Sequence, residues 1–206
     1  MGFIILALMK KIIPFLLILI PFNLFSQLNL HEWNNTSYNV YDESKFQKLD
    51  IVNQLIDPNN IDYKLFNAAI FYCTNIQRVK YGKKPFIHSK ALEEAAHSHS
   101  KDMVKHNFYS HKSPVEGKRT MTERLSFVGI NSSYRAENIF DNFEKNPTYL
   151  SLASKLVDGW MKSSGHRRNI LNEKYNYLGC GVYYYENIEW KDYFWVKATQ
   201  NFSSED

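Results

Sequence analysis

Residues 177–202 read YLGCGVYYYENIEWKDYFWVKATQNF. Two runs within this stretch, 177–185 and 193–202, are rich in aromatic and β-branched residues, which favour extended chain. A polar loop that contains Asn187 and Asp192 separates the two runs. The stretch therefore predicts an antiparallel β-hairpin at the C-terminal end of the sequence.

Three consecutive tyrosines, Tyr183, Tyr184 and Tyr185, lie in the first of these runs. Successive side chains of a strand point to opposite faces of the sheet. The run therefore predicts rings that belong to the core on one face and to the rim on the other, rather than a platform that stacks a ligand.

Upstream of the hairpin, four segments show the spacing of amphipathic helices. The first follows a capping residue, Asp62, and the second follows Ser89 and runs through Met103. The third begins at Thr120, where Glu123 completes a capping box, and the fourth spans about 149–161. Helices that precede antiparallel strands predict an α+β layered domain rather than a parallel doubly wound sheet.

The beginning of the sequence carries the pattern of a targeting segment. Lys10 and Lys11 precede an apolar run, 12–22, which predicts a signal peptide over residues 1–26. An uncleaved membrane anchor is the alternative interpretation. Because the run is short and contains two prolines, we expect cleavage, no stable membrane span afterwards, and a secreted protein that is extracellular or periplasmic.

The remaining chain divides into an extension and one domain. Residues 27–61 are predicted to form an N-terminal extension, and residues 62–206 a single domain with a sizeable core. One stripe in the extension indicates a short amphipathic helix. It consists of Phe46, Leu49, Val52 and Ile56.

The net charge limits the class of binding partner, and the number of cysteines limits the type of scaffold. The formal net charge of +4 falls by two when the lysines of the signal segment are removed, which argues against nucleic acid or an anionic membrane surface as partner. Only Cys73 and Cys180 are present, too few for a disulfide scaffold. Buried free thiols are the simpler interpretation, and a single disulfide is the alternative.

Three short segments carry residues that suit chemistry. Each leaves a helical run and is expected to enter irregular chain, where rigid neighbours can aim an imidazole or a carboxylate into a cleft. The segments are HNFYSH at 106–111, AENI at 136–139 and GHRRNIL at 165–171.

Taken in this order, the segments resemble the CAP superfamily of cysteine-rich secretory proteins, antigen 5 and pathogenesis-related 1 proteins, most closely its bacterial secreted SCP-like branch. The resemblance covers roughly residues 64–202 and extends to the runs AAHSHSKDM at 95–103 and WMKSSGHRRNIL at 160–171. It implies an α-β-α sandwich with the C-terminal hairpin in its sheet.

The resemblance also implies a cleft that two histidines and two acids line and that holds a divalent metal in some members. By motif, His111 is the first histidine, Glu137 the first acid and His166 the second histidine. The second acid would follow Trp160 by three positions, but Ser163 stands there. The sequence therefore departs from the complete set of four.

Two interpretations of His111, Glu137 and His166 follow from their chemistry. Two neutral imidazoles and a carboxylate can bind zinc and leave a fourth position open for an acidified water. The same three residues can instead form a hydrogen-bonded cluster without metal, in which Glu137 orients a histidine. His99 lies on the apolar face of its helix and is expected to be a core histidine.

Three hypotheses of function remain open. The first is an extracellular binding module for a lipid, a peptide or a cell-wall component. The second is a hydrolase of extracellular peptide or cell-wall substrate, in which a histidine acts as general base or metal ligand with Glu137. The third is a purely structural role for His111, Glu137 and His166. No Gly-x-Ser-x-Gly motif supports a serine nucleophile. Arg124 is expected to be a solvated or structural charge, and pairing with an acid or binding of an anion is the alternative.

Overall fold

A computed structural model describes residues 33–206, so the predicted signal peptide and the first residues of the extension lie outside the described residues. The helices are α1 (Glu43–Phe46), α2 (Tyr63–Lys80), α3 (Lys90–Lys105), α4 (Met121–Phe127), α5 (Tyr149–Lys162) and α6 (Ser164–Leu171). The strands are β1 (Ile87–His88), β2 (Arg135–Glu144), β3 (Tyr177–Tyr185) and β4 (Phe194–Ser203). Within residues 33–206, no helix is long and apolar enough to cross a membrane.

The four predicted helices begin where their caps place them. The Asp62 carboxylate accepts a hydrogen bond from the Leu65 N–H at 3.0 Å, and the Ser89 hydroxyl accepts one from the Leu92 N–H at 3.1 Å. Thr120 forms its capping box at the start of α4. Each cap satisfies a backbone N–H that has no partner inside the helix, which sets the first residue of the helix.

The sheet has the strand order β1-β3-β4-β2. The predicted hairpin is confirmed, because β3 and β4 pair antiparallel with Tyr177 opposite Ser203 and Tyr185 opposite Trp195. The two-residue strand β1 pairs parallel with the start of β3. Strand β2 pairs antiparallel with β4 along its whole length.

The expectation that residues 136–139 and 165–171 are irregular chain is wrong. Residues 135–144 form β2, and residues 164–171 form α6. Strand β2 has no clean alternation of apolar and polar residues, because polar side chains such as Asn138 are buried on it and hydrogen-bonded within the protein. Tertiary partners decide these two elements, and a sequence pattern cannot show them.

Helices cover both faces of the sheet, which makes the α-β-α sandwich. On one face, Ser100 of α3 donates a hydrogen bond to Thr199 at 2.9 Å. On the other face, the neighbouring Gln200 donates to Thr74 of α2 at 2.7 Å. The core lies mainly between the sheet and the helices α2 and α5. Its largest fully buried side chains include Phe66, Tyr72, Trp160 and Phe202.

Residues 33–60 pack against this same core. The predicted amphipathic stripe is buried at Phe46, Val52 and Ile56. However, Phe46 lies in α1, Val52 lies in a separate 3₁₀ turn at Asp50–Asn53, and Ile56 follows in irregular chain. A single continuous helix was the wrong expectation for this stretch.

Both cysteines are buried and free. Burial raises the pKa of the Cys73 thiol to about 12, and the nearby Asp158 carboxylate adds to this effect. The pKa of Cys180 is also raised, first of all by burial. Neither thiol supplies a thiolate nucleophile at neutral pH.

Close approach of α3 to β3 depends on two glycines. A Cβ atom at Gly179 would overlap backbone atoms of Leu92 and Glu93, and one at Gly181 would overlap backbone atoms of Ala96 and His97. The helix therefore lies directly on the strand at these two positions.

We predict that Gly179→Ala and Gly181→Ala each lower the free energy of unfolding by about 1–3 kcal/mol or more, because backbone must move to make room for the methyl group. Gly165→Ala is the matched control, since no atom lies within 4 Å of a Cβ there. Urea denaturation measures all three. Unchanged stability of both strand variants would contradict the packing of α3 on β3.

Candidate functional site

The candidate site is built around Glu137, a buried carboxylate on β2. Glu137 pairs with Asn201 of β4, and Asn201 pairs with Gly179 of β3. This register places the Glu137 side chain on the sheet face that α3 covers, near the positions where the helix backbone touches the strand. Its side chain is 2% exposed.

Arg124 of α4 is the main partner of Glu137. Its Nη2 donates to Oε1 at 2.9 Å and to Oε2 at 2.7 Å, and its side chain is also 2% exposed. The same guanidinium donates to two backbone carbonyls, that of His111 at 3.1 Å and that of Lys118 at 3.1 Å. The pair therefore ties the loop that carries His111 to the strand that carries Glu137.

His111 is oriented by the same carboxylate. Its Nδ1 lies 2.9 Å from Glu137 Oε1, and its side chain is 54% exposed. An ionised carboxylate only accepts hydrogen bonds, so Nδ1 carries the hydrogen and Nε2 of the neutral ring is an acceptor. The imidazole is held at one nitrogen and exposed to solvent over half of its surface.

Two further residues surround the carboxylate. His99 of α3 is fully buried, and its Nε2 lies 3.9 Å from Glu137 Oε1 and 3.1 Å from the Ser110 carbonyl oxygen. With the Asn201 amide oxygen facing the Ala96 N–H at 3.1 Å, the Asn201 nitrogen donates to Glu137 Oε2 at 3.3 Å. His99 is thus the core histidine that the helix pattern predicts.

The pKa of Glu137 is lowered in spite of its burial. Burial has the largest single effect and raises the pKa, but the hydrogen bond from His111 and the positive charge of Arg124 together outweigh it. The carboxylate is therefore ionised at neutral pH. Its oxygens accept hydrogen bonds from Arg124 and His111, so it orients these groups rather than serving as a free base.

His166 lies in the first turn of α6 and is half-buried. Burial lowers its pKa, and the nearby His111 lowers it further. Its backbone carbonyl accepts a hydrogen bond from Asn138 at 3.2 Å, so the residue after Glu137 on β2 anchors the start of α6. The effect of His111 on the pKa of His166 indicates that the two side chains lie close enough to interact electrostatically.

The arrangement of the donor set argues against a preformed zinc site. Among residues 33–206, no group of three or more His, Cys, Asp or Glu side chains is arranged to hold a metal ion. The Arg124 guanidinium lies against both oxygens of Glu137 and would repel a divalent cation there. Ser163, at the position of the missing acid, joins α5 to α6. Zinc bound by His111, His166 and Glu137 stays a prediction that metal analysis must decide.

Sequence reasoning did not assign Arg124 and Asn201 to this site. Arg124 is 13 residues from Glu137 and lies on a different element, so only the tertiary fold brings its Nη2 to the carboxylate. Asn201 depends on the pairing of β4 with β2.

The buried His99 makes stability depend on pH. Burial lowers its pKa from the ordinary 6.5 to about 4, although Glu137 acts in the opposite direction. Below pH 6.5 the unfolded chain binds a proton at this position and the folded chain does not, so folding is penalised as the pH falls. Between pH 6.5 and pH 5 we predict a loss of about 2 kcal/mol in the free energy of unfolding.

Urea denaturation at several pH values in this window measures the effect. His99→Gln should reduce the slope, whereas His106→Gln, which changes an exposed histidine at the end of α3, should retain it in full. Burial also lowers the pKa of His97 and of His166, so these two histidines leave a residual slope in both variants. An equal slope in both variants would show that His99 does not titrate as described.

Comparison with known proteins supports the family resemblance. The profile of the CAP or cysteine-rich secretory protein family matches residues 71–198. Two proteins of Bacillus subtilis (strain 168) are similar in sequence. They are the uncharacterized membrane protein YlbC, 35% identical over 118 residues, and the uncharacterized protein YkwD, 33% identical over 116 residues.

These matches span 56% of this chain, but only 32% of YlbC and 42% of YkwD. The chain therefore spans well under half the length of the curated relatives it matches.

Solved structures give the same result for the fold. An extracellular protein of Bacillus anthracis str. Ames that contains an SCP domain is 30% identical, with a TM-score of 0.54, over 72% of this chain and 44% of that one. An outer surface protein of Borrelia burgdorferi shares the fold with a TM-score of 0.53 at 15% identity, over 69% of this chain and 94% of that one. On the profile match, the ordered motifs and the α-β-α sandwich, the chain belongs to the cysteine-rich secretory protein (CAP) family.

Proposed function

We propose that the protein is an extracellular binding module, with a ligand site formed by His111 and His166 and held in place by Glu137. The observation that carries the proposal is the half-exposed His111 ring, fixed through Nδ1 by a carboxylate that is itself buried and bound to Arg124. Such a ring presents Nε2 to a ligand in one orientation, so little entropy is lost on binding.

The protonation state of His166 favours a neutral ligand group that donates a hydrogen bond. Burial lowers the pKa of His166, so its ring is neutral at neutral pH. A neutral imidazole nitrogen accepts a hydrogen bond from a hydroxyl or an amide N–H. Lipids with hydroxyl groups, peptides and cell-wall components all supply such donors, and they are the ligand classes that we propose.

Extracellular placement is part of the proposal. The pattern of residues 1–26 supports a signal peptide, and the Bacillus anthracis relative is described as extracellular. An oxidising compartment is compatible with two thiols that burial protects from reaction.

A hydrolase is the second candidate, and one observation favours it. A carboxylate 2.9 Å from Nδ1 of an exposed imidazole is the arrangement that orients a histidine for proton transfer at Nε2. A purified Glu137→Gln variant that keeps full activity on a substrate of the wild-type protein would eliminate this mechanism.

The binding proposal is tested with a panel of lipid vesicles, peptides and soluble cell-wall fragments, measured by isothermal titration calorimetry. We expect saturable binding of at least one probe and a loss of about tenfold in affinity for His111→Ala. A loss of this size corresponds to the free energy of about one hydrogen bond. His106→Ala is the matched control, because His106 is exposed and lies only five residues away in sequence.

Thermal unfolding accompanies each titration, since loss of affinity through unfolding must be separated from loss of a contact. Because the His111 ring is half-exposed, its removal should cost less than about 1.5 kcal/mol of stability. Absence of binding across the panel, or equal binding by the wild type and the His111→Ala variant, would contradict the proposal.

A further inference from the structure

A cluster of aromatic side chains lies on the sheet face that α3 covers. It begins where the contact between α3 and the two glycines of β3 ends. In β3, Gly179 and Gly181 lie under α3, and the next residues on the same face are Tyr183 and Tyr185. Trp195 of β4 and Phe143 of β2 lie in the same row as Tyr185. The Tyr183 ring is covered by Tyr63 of α2, which stacks on it at 5.1 Å between centroids. We define the aromatic face as the remaining rings with two from the adjoining loop: Phe143, Tyr185, Trp190, Tyr193 and Trp195.

The rings of the aromatic face support one another. The centroids of Phe143 and Trp195 are 4.2 Å apart, and those of Phe143 and Tyr193 are 5.2 Å apart. Trp195 Nε1 donates to the Trp190 carbonyl oxygen at 3.3 Å, which ties the loop to the strand. Contacts among the rings therefore hold the surface in place before any ligand binds.

Part of every ring is accessible to solvent. Trp190 is 56% exposed, and its neighbour Ile188 is 84% exposed, whereas the strand rings are half-buried. Exposed apolar side chains are normal when they occur singly, but a contiguous group of them is informative. The third tyrosine of the run, Tyr184, points to the opposite face and packs on Phe194 at 4.4 Å in the core.

A polar row separates the aromatic face from the His111 and Glu137 site. Lys197 Nζ lies 2.6 Å from Asp141 Oδ2, and the Tyr185 hydroxyl donates to Asp141 Oδ1 at 2.7 Å. Asp141 and Phe143 follow Glu137 on β2 by four and six residues, which corresponds to about 13 and 20 Å along the strand. The same sheet face therefore carries a charged row and then a ring surface over this length.

The charges around the aromatic face nearly balance. The loop between β3 and β4 holds Glu186, Glu189 and Asp192 against one lysine, Lys191. Two further lysines lie over the rings, Lys155 at 5.1 Å from the centroid of Phe143 and Lys197 at 5.0 Å from that of Tyr185. A surface without a large charge of one sign does not favour a polyanion or a polycation. It suits a neutral ligand with apolar faces for the rings and hydroxyl groups for the row of Asp141 and Lys197.

A chain of sugar rings meets these requirements, because each sugar has a C–H face that packs on an aromatic ring and hydroxyls that hydrogen-bond at its edge. We propose that the aromatic face binds an extended, neutral oligosaccharide strand. This inference rests on the proposed function for its extracellular setting, but it uses neither His111 nor Glu137, so the two sites can fail separately.

The test uses chitohexaose and cellohexaose as soluble probes, titrated into the purified full-length protein and followed by tryptophan fluorescence and calorimetry. Of the four tryptophans, Trp33 and Trp160 are buried, so a fluorescence change on binding reports Trp190 and Trp195. We expect saturable binding of at least one probe, and a loss of tenfold or more for Trp190→Ala.

Three variants serve as controls. Phe127→Ala removes a ring that is 78% exposed on α4, outside the aromatic face, and should keep affinity within twofold. His111→Ala should also keep it within twofold, which separates this surface from the proposed site. Trp190→Phe should retain most of the affinity, because an aromatic ring remains. Circular dichroism checks that each variant is folded.

Three results would overturn the inference. One is no binding of either oligosaccharide by the wild-type protein. Another is wild-type affinity in Trp190→Ala. The third is loss of oligosaccharide binding in His111→Ala with retention in Trp190→Ala, which would assign the sugar to the His111 site instead.

Discussion

The buried ion pair between Arg124 and Glu137 is the interaction on which the rest of the site depends. Both side chains are 2% exposed, so each would carry an uncompensated buried charge without the other. Because the same guanidinium binds the carbonyls of His111 and Lys118, the pair also shapes the loop between α3 and α4. The position of His111 is thus a consequence of charge compensation inside the domain.

This arrangement determines what each group can do. Glu137 is ionised and bound on several sides, so it orients rather than reacts. His111 is held at Nδ1 and exposed at its other edge, so it is the group that we propose to contact a ligand. The two glycines of β3 also contribute, because they let α3 and its buried His99 approach the carboxylate.

The sequence predicts most of the scaffold because local physics decides those parts. Caps at Asp62, Ser89 and Thr120 mark helix starts, and aromatic and β-branched runs mark β3 and β4. Local sequence signals do not reveal strand β2, because its polar residues are buried by pairing with β4. Without β2, the neighbours of Glu137 cannot be inferred, and neither can the position of Phe143 in the aromatic face. For the same reason, the sequence does not identify Arg124 as the partner of Glu137.

A double-mutant cycle on Arg124 and Glu137, measured as free energies of unfolding in urea, tests the central role of the ion pair most directly. Arg124→Met alone should cost about 3–5 kcal/mol, because it leaves a buried carboxylate without its charge partner. The double variant Arg124→Met/Glu137→Gln should cost less than the sum of the single variants by at least about 1 kcal/mol. Single effects that add to within about 0.5 kcal/mol would show that the two residues do not depend on each other, and would contradict this account.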